Sequence, residues 1–186
     1  MVIDAGHGGK DSGAQSRRGG MEKTATLAVA KSLQPKLAAA GFHTVMTRRN
    51  DQFIPLNRRV AISNRQNNAI FVSVHFNSAG RRAVRGSEVH FKSAVSRELG
   101  RRILKKVAAL PGFSSRGVKP ANFRVLRLNE YPAVLVECGF LTNASEASRC
   151  FSPAVQDKLA TAIAEGIIEQ RGGPLTVESS FSQRQD

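Results

Sequence analysis

The order of segments along the chain predicts an α/β layer fold built as a single domain. Three observations carry that prediction. Short strand candidates rich in β-branched or aromatic residues alternate with helical patterns. Two of the strands are nearly continuous apolar runs, which marks strands buried on both faces. The length, 186 residues, suits one core of real size.

Val2–Asp4 is the first strand candidate and runs straight into a glycine-dense loop, AGHGG. Glu22–Ala40 follows as a helix, with Val29, Ala30, Leu33, Leu37 and Ala40 on one stripe and Gly41 as its stop. Pro35 lies inside that pattern and predicts a kink or a break. Phe42–Thr47 is the second strand, and Pro55–Asn64 a helix with Pro55 near its first turn. Ile70–His75 and Glu88–Phe91 are strands, and Ser96–Leu110 is a helix ended by Pro111-Gly112. Phe123–Leu126 and Ala133–Glu137 complete six strands. Pro153–Gln170 is the last helix, with Ser152 placed as its N-cap. The expected domain is 1–171. The polar stretch 172–186, with two glycines and a proline, reads as a tail.

The composition is that of a globular chain, 41% hydrophobic and 23% charged. No apolar run approaches the ~20 residues of a membrane span, and no signal peptide precedes the first strand. An exported protein would have lost its signal, and Met1 would not be the native start. The formal net charge of +14 predicts polyanionic partners: nucleic acid, an anionic cell envelope or an acidic polysaccharide. Against nucleic acid stand the 6% aromatic content, the single tyrosine and the absence of tryptophan, which leave little for base stacking. No helix-turn-helix or zinc-finger signature appears either. The paired arginines at 17–18, 48–49, 58–59, 81–82 and 101–102 each read as a solvated face. Two cysteines are too few for a disulfide framework.

Chemistry gathers at the carboxyl ends of strands in open α/β sheets. His7, His75 and Glu137 all sit at or just past such an end. Taken singly, each has an ordinary alternative. His75 could be a neutral core histidine. Glu22, in a first helical turn, could serve the helix dipole. Taken together, two imidazoles and one carboxylate form a hydrolytic zinc set with a position left for water. Glu137, after four apolar residues, is costly to bury unless paired or used, and is the candidate general base. Asn77 is a candidate substrate contact, with a turn residue as the alternative. A cysteine hydrolase using Cys138 is the rival chemistry. Cys138 follows Glu137 on the same strand, so the two side chains face opposite ways, and Cys138 reads as a buried hydrophobe.

VIDAGHGGKDSGA, VSVHFNSA and PAVLVECGFLTN resemble the signature blocks of the zinc-dependent N-acetylmuramoyl-L-alanine amidases of the Amidase 3 group. GFHTVMTRRND, RRVAISN and GVKPANFRVLR fit the same pattern in the same order, so the resemblance runs from about Val2 to Gln170. It implies a twisted, mostly parallel or mixed six-stranded sheet flanked by helices on both faces. It implies one zinc ion held by His7, Glu22 and His75, with Glu137 as the catalytic carboxylate. The implied reaction is hydrolysis of the amide between N-acetylmuramic acid and L-alanine. Peptidoglycan is then the substrate, and the location extracytoplasmic, in the periplasm or cell wall. A monomer is expected because nothing in the sequence suggests a large apolar interface. A phage-type lysin would share this core.

Larger regulated members of the group carry an insert after the strand that here reads SEVHF, with a helix that covers the zinc. Here Phe91-Lys92-Ser93-Ala94 leads directly into a helix, so an open cleft is expected. No separate wall-binding segment is visible, and the basic surface is expected to hold the enzyme on an anionic wall, more weakly at high salt. The alternatives to hydrolysis are a catalytically weak wall-binding relative and a basic nucleic-acid-binding protein.

Overall fold

The structure is a computed structural model that describes residues 1–17 and 19–171. Its elements run β1 (Val2–Ala5), α1 (Glu22–Ala39), β2 (Val45–Met46), α2 (Leu56–Asn64), β3 (Phe71–Asn77), β4 (Ser87–Phe91), α3 (Ala94–Ala108), β5 (Ser115–Pro120), α4 (Arg124–Arg127), β6 (Ala133–Phe140), α5 (Ala144–Cys150) and α6 (Pro153–Arg171). They form one six-stranded sheet in the order β2-β1-β3-β6-β4-β5. The first four are mutually parallel, β4 runs antiparallel to β6, and β5 runs parallel to β4. The mixed α/β sheet expected from the sequence is therefore what the chain forms.

Alternation along the central strands sorts residues onto two faces. Ile3, Ala5, Val72, Val74, Val134 and Val136 join the larger core, under α1, α3 and α6. Val2, Phe71, Ala133 and Leu135 join a smaller core with Val60 of α2 and Val125 and Leu126 of α4. The strand registers pair Val2 with Phe71 and Phe71 with Ala133. One step towards the carboxyl ends on this face come Asp4, Ser73 and Leu135, and beyond them His75 beside Glu137. Along β3 the face thus grades from apolar Phe71, to polar Ser73, to ionisable His75.

Several expectations change. Phe123–Leu126 is not a strand. Val125 and Leu126 are both buried, and Arg124–Arg127 forms a single helical turn. The sixth strand is Ser115–Pro120, a half-exposed edge whose SRGVKP sequence lacks an apolar run. Pro35 does not end α1, which continues through it. Pro35 and Lys31 are exposed on the helix, so the carbonyl deprived of its usual donor is open to water. α5 went unforeseen, although Asn143 accepts from the Glu146 N–H as an N-cap. The expected 172–186 tail lies outside the described residues.

Candidate metal centre and active-site cleft

β1 hands the chain to β2 on one side, and the chain returns to β3 on the other. The carboxyl ends of β1 and β3 therefore flank a switch point, where an open sheet forms a crevice. His7 leaves β1 there and His75 ends the apolar part of β3. α1 begins at Glu22 over the same end of the sheet. One ligand atom from each of His7, Glu22 and His75 falls within 4.8 Å of the others.

Glu22 is the hub. Its side chain is 4% exposed, and each oxygen has two contacts. Oε2 lies 3.0 Å from His7 Nε2 and accepts the Ala14 N–H at 2.8 Å. Oε1 lies 2.9 Å from His75 Nδ1 and accepts the Phe76 N–H at 2.9 Å. Burial raises the Glu22 pKa, but the bonds and charges of the two imidazoles outweigh it and hold the carboxyl far below its usual range. Burial likewise lowers the His7 pKa, while the Glu22 and Asp11 carboxylates overcome that and leave it raised. His7 Nδ1 lies 2.9 Å from Asp11 Oδ1, which turns Nε2 towards Glu22.

Glu137 sits beside His75 in the β3–β6 register. Its Oε2 is buried with no hydrogen-bond partner among the described residues. Burial is the main cause that pushes its pKa up, to about 7. An orphaned buried carboxylate next to two imidazoles that share another carboxylate is costly for stability alone. The donor set, nitrogen and oxygen from two histidines and a glutamate, fits a borderline divalent metal.

A sequence profile of the N-acetylmuramoyl-L-alanine amidases matches residues 1–169. The chain belongs to the Amidase 3 family. It is 39% identical over 172 residues to the N-acetylmuramoyl-L-alanine amidase LytC of Bacillus subtilis, covering 90% of this chain and 34% of LytC. It is 33% identical to AmiA of Escherichia coli, covering 90% of this chain and 74% of AmiA. The catalytic domain of CwlV from Bacillus (Paenibacillus) polymyxa var. colistinus superposes with a TM-score of 0.86 at 39% identity, covering 90% of this chain and 95% of that domain. The chain thus spans about a third of LytC's length, and nearly all of a catalytic domain.

In this member of the family the four residues singled out in the sequence, together with Asn77, line one cleft of about 680 Å³. Phe53, Ile54, Leu56, Phe123 and Val125 give it an apolar wall, with Arg124 among them. Asn77 closes the end of β3, and its Nδ2 donates to Glu88 at 2.6 Å. Cys138 lies on the opposite face in the larger core, where burial pushes its thiol well up. That leaves the cysteine chemistry without an accessible nucleophile. β4 passes to α3 through Lys92 and Ser93 alone, so no insert stands between them.

Two of the arginines read as solvated are not. Arg48 and Arg59 are each 2% exposed, whereas their neighbours Arg49 and Arg58 are exposed. Arg59 pairs with the buried Asp4 at 2.8 Å, and Asp4 also accepts from Thr47 and Ser73, each at 2.6 Å. Sequence held one signal for this: an aspartate inside an apolar strand needs a cation. Which arginine supplies it is a tertiary fact.

Gly6 explains part of the glycine-dense loop. A Cβ there would lie 2.4 Å from both Cε1 and Nε2 of His75. Gly6→Ala is therefore expected to displace the His75 ring. Misplacement on the scale of an ångström costs on the order of 10²-fold in rate. Turnover assays with metal content by elemental analysis read this out, and a fully metallated, fully active Gly6→Ala protein would contradict it.

Proposed function

We propose that residues 1–171 are the catalytic domain of a zinc-dependent peptidoglycan hydrolase. It cuts the amide between the lactyl group of N-acetylmuramic acid and the L-alanine of the stem peptide. The observation that carries this reading is the convergence of both imidazoles on Glu22, with the unpartnered Glu137 in the same cleft.

His7, Glu22 and His75 would hold the ion. When bound, zinc supplies an acidified water and polarises the scissile carbonyl. Glu137 takes the proton of the attacking water on its carboxylate. The water oxygen adds to the carbonyl carbon, the C–N bond breaks, and Glu137 returns the proton to the departing amine nitrogen of L-alanine. Asn77 is assigned to substrate contact, since it lines the cleft with its amide fixed by Glu88. The apolar wall suits the methyl groups of the lactyl and alanyl units that flank the bond.

The chain is assigned to an extracytoplasmic site, as a monomer, held near an anionic wall by exposed arginines such as Arg17, Arg81, Arg82 and Arg101. LytC and AmiA are both named as N-acetylmuramoyl-L-alanine amidases, which supports peptidoglycan as substrate. The two-residue link between β4 and α3, Lys92-Ser93, supports an open cleft.

Digestion of purified peptidoglycan tests the reading, with products identified by mass spectrometry. Intact stem peptides with free L-alanine amino termini are expected. They should disappear with a chelator and return with zinc. Cuts in the glycan or within the stem peptide would move the bond, and no cleavage by the zinc-loaded protein would favour a wall-binding relative.

A further inference from the structure

The loop that carries His7 has an unusual support. Three successive carbonyls, those of Ala5, Gly6 and His7, turn inward onto two buried guanidinium groups. Arg59 donates from Nη1 to Ala5 O at 2.6 Å and from Nη2 to His7 O at 2.6 Å. Arg48 donates from Nε to Ala5 O at 3.0 Å and from Nη2 to Gly6 O at 2.8 Å. Arg48 Nη2 also donates to Lys23 O at 2.8 Å, so the same group ties the loop to the first turn of α1, where Glu22 sits. Thr26 of α1 adds a bond to Gly6 O at 2.8 Å.

His7 itself has φ 59°, a left-handed backbone that a residue with a Cβ adopts only where the surroundings enforce it. Enforcement comes at both ends of the residue: Arg59 holds its carbonyl, and Asp11 faces its Nδ1. Rotating the backbone towards ordinary φ would swing the imidazole away from Glu22 and break the Arg59 bond. Arg59 in turn is anchored by Asp4, and Asp4 by Thr47 and Ser73, so the loop is referred back to β1, β2 and β3.

We propose that Arg48 and Arg59 are positioning residues for the metal centre: their forked guanidinium groups fix the Ala5–His7 carbonyls, hold His7 in its left-handed conformation, and so form the site before the ion arrives. The proposal rests on the zinc reading above. A lysine at either position keeps the positive charge but is a point donor that cannot bridge several carbonyls at once. Charge is thereby held constant while the fork is removed.

The test is zinc affinity, measured on the metal-free protein by competition with a chromophoric chelator well below the unfolding transition. Arg59→Lys and Arg48→Lys are expected to bind zinc about 10–100-fold more weakly, the usual scale for partners that orient metal ligands. Arg58→Lys and Arg49→Lys, exposed neighbours outside the network, are expected to match the wild type. Thermal unfolding of each metal-free variant is recorded alongside. A purely structural role would lower the melting temperature of Arg59→Lys and Arg48→Lys and leave the zinc affinity of the folded protein unchanged, and that result would overturn the proposal. Variants that fold only when zinc is present would count against it, since a ligand of the folded state rescues any destabilised fold by mass action. Variants that fail to fold even with zinc would refute it in favour of a role in the fold alone. A wild type that binds no zinc would instead overturn the metal reading itself.

Discussion

Glu137→Gln is expected to hydrolyse peptidoglycan at least about 10²-fold more slowly than the wild type, the ordinary scale for losing a positioned acid–base group, while still binding one zinc. Glutamine has nearly the same shape and fits the same slot at the end of β6. It cannot accept the proton of the attacking water or return one to the amine. Because Glu137 has no hydrogen-bond partner among the described residues, its replacement breaks no bond that holds His7, Glu22 or His75. The loss should therefore fall on turnover and leave metal content intact. Stability gives a second readout of the same change. Burial raises the Glu137 pKa to about 7 in the metal-free fold, above its ordinary 4.5. The folded state then binds more protons than the unfolded state between those values, so this group's effect on stability worsens as pH rises through that window. Metal-free Glu137→Gln should lack that decline and be the more stable of the two above pH 7. Equal turnover at full zinc occupancy would remove Glu137 from the mechanism.

Glu22→Ala is expected to lose zinc binding outright and activity with it. The effect should exceed the ~10–100-fold typical of a residue that merely orients a ligand. Both imidazoles lie against this one carboxylate, at 2.9 and 3.0 Å. Removing it leaves the two rings edge to face, with centroids 4.9 Å apart, and takes away the anion they share. The Ala14 and Phe76 N–H groups also lose their acceptor, so the loop after Gly13 loosens at the same stroke. Equilibrium dialysis against zinc and the peptidoglycan assay check this. Zinc binding within about 10-fold of the wild type, less than even an outer partner commonly contributes, would show that Glu22 is not a ligand.

The sequence made much of this legible, and unevenly. Two of the central strands were readable because Ile70–His75 and Ala133–Glu137 are nearly continuous apolar runs, and burial on both faces is what their positions in the sheet require. The edge strand SRGVKP was not, because an edge faces water and needs no such run. His7, Glu22, His75 and Glu137 stood out as chemistry-bearing residues at element ends. Their meeting could not be deduced from spacing, since it depends on the β1–β3–β6 order. The two buried arginines were the hardest to see. RR at 48–49 and RR at 58–59 look alike as text, yet the buried member is the first of one pair and the second of the other. Only the packing of β2 and α2 against β1 decides which.

The graded face of the sheet has a consequence for how such a chain can vary. Phe71, Ser73 and His75 occupy alternate positions on one strand, as do Ala133, Leu135 and Glu137 on the next. Lengthening either strand by a single residue below the histidine or the glutamate would turn that side chain into the opposite core and bring a valine into the cleft. Lengthening both by two would keep every side chain on its face and lift the reactive pair by about 6.6 Å, the rise of two strand residues. Loops around the cleft are free to grow and shrink, but the distance from foundation to chemistry comes only in steps of two.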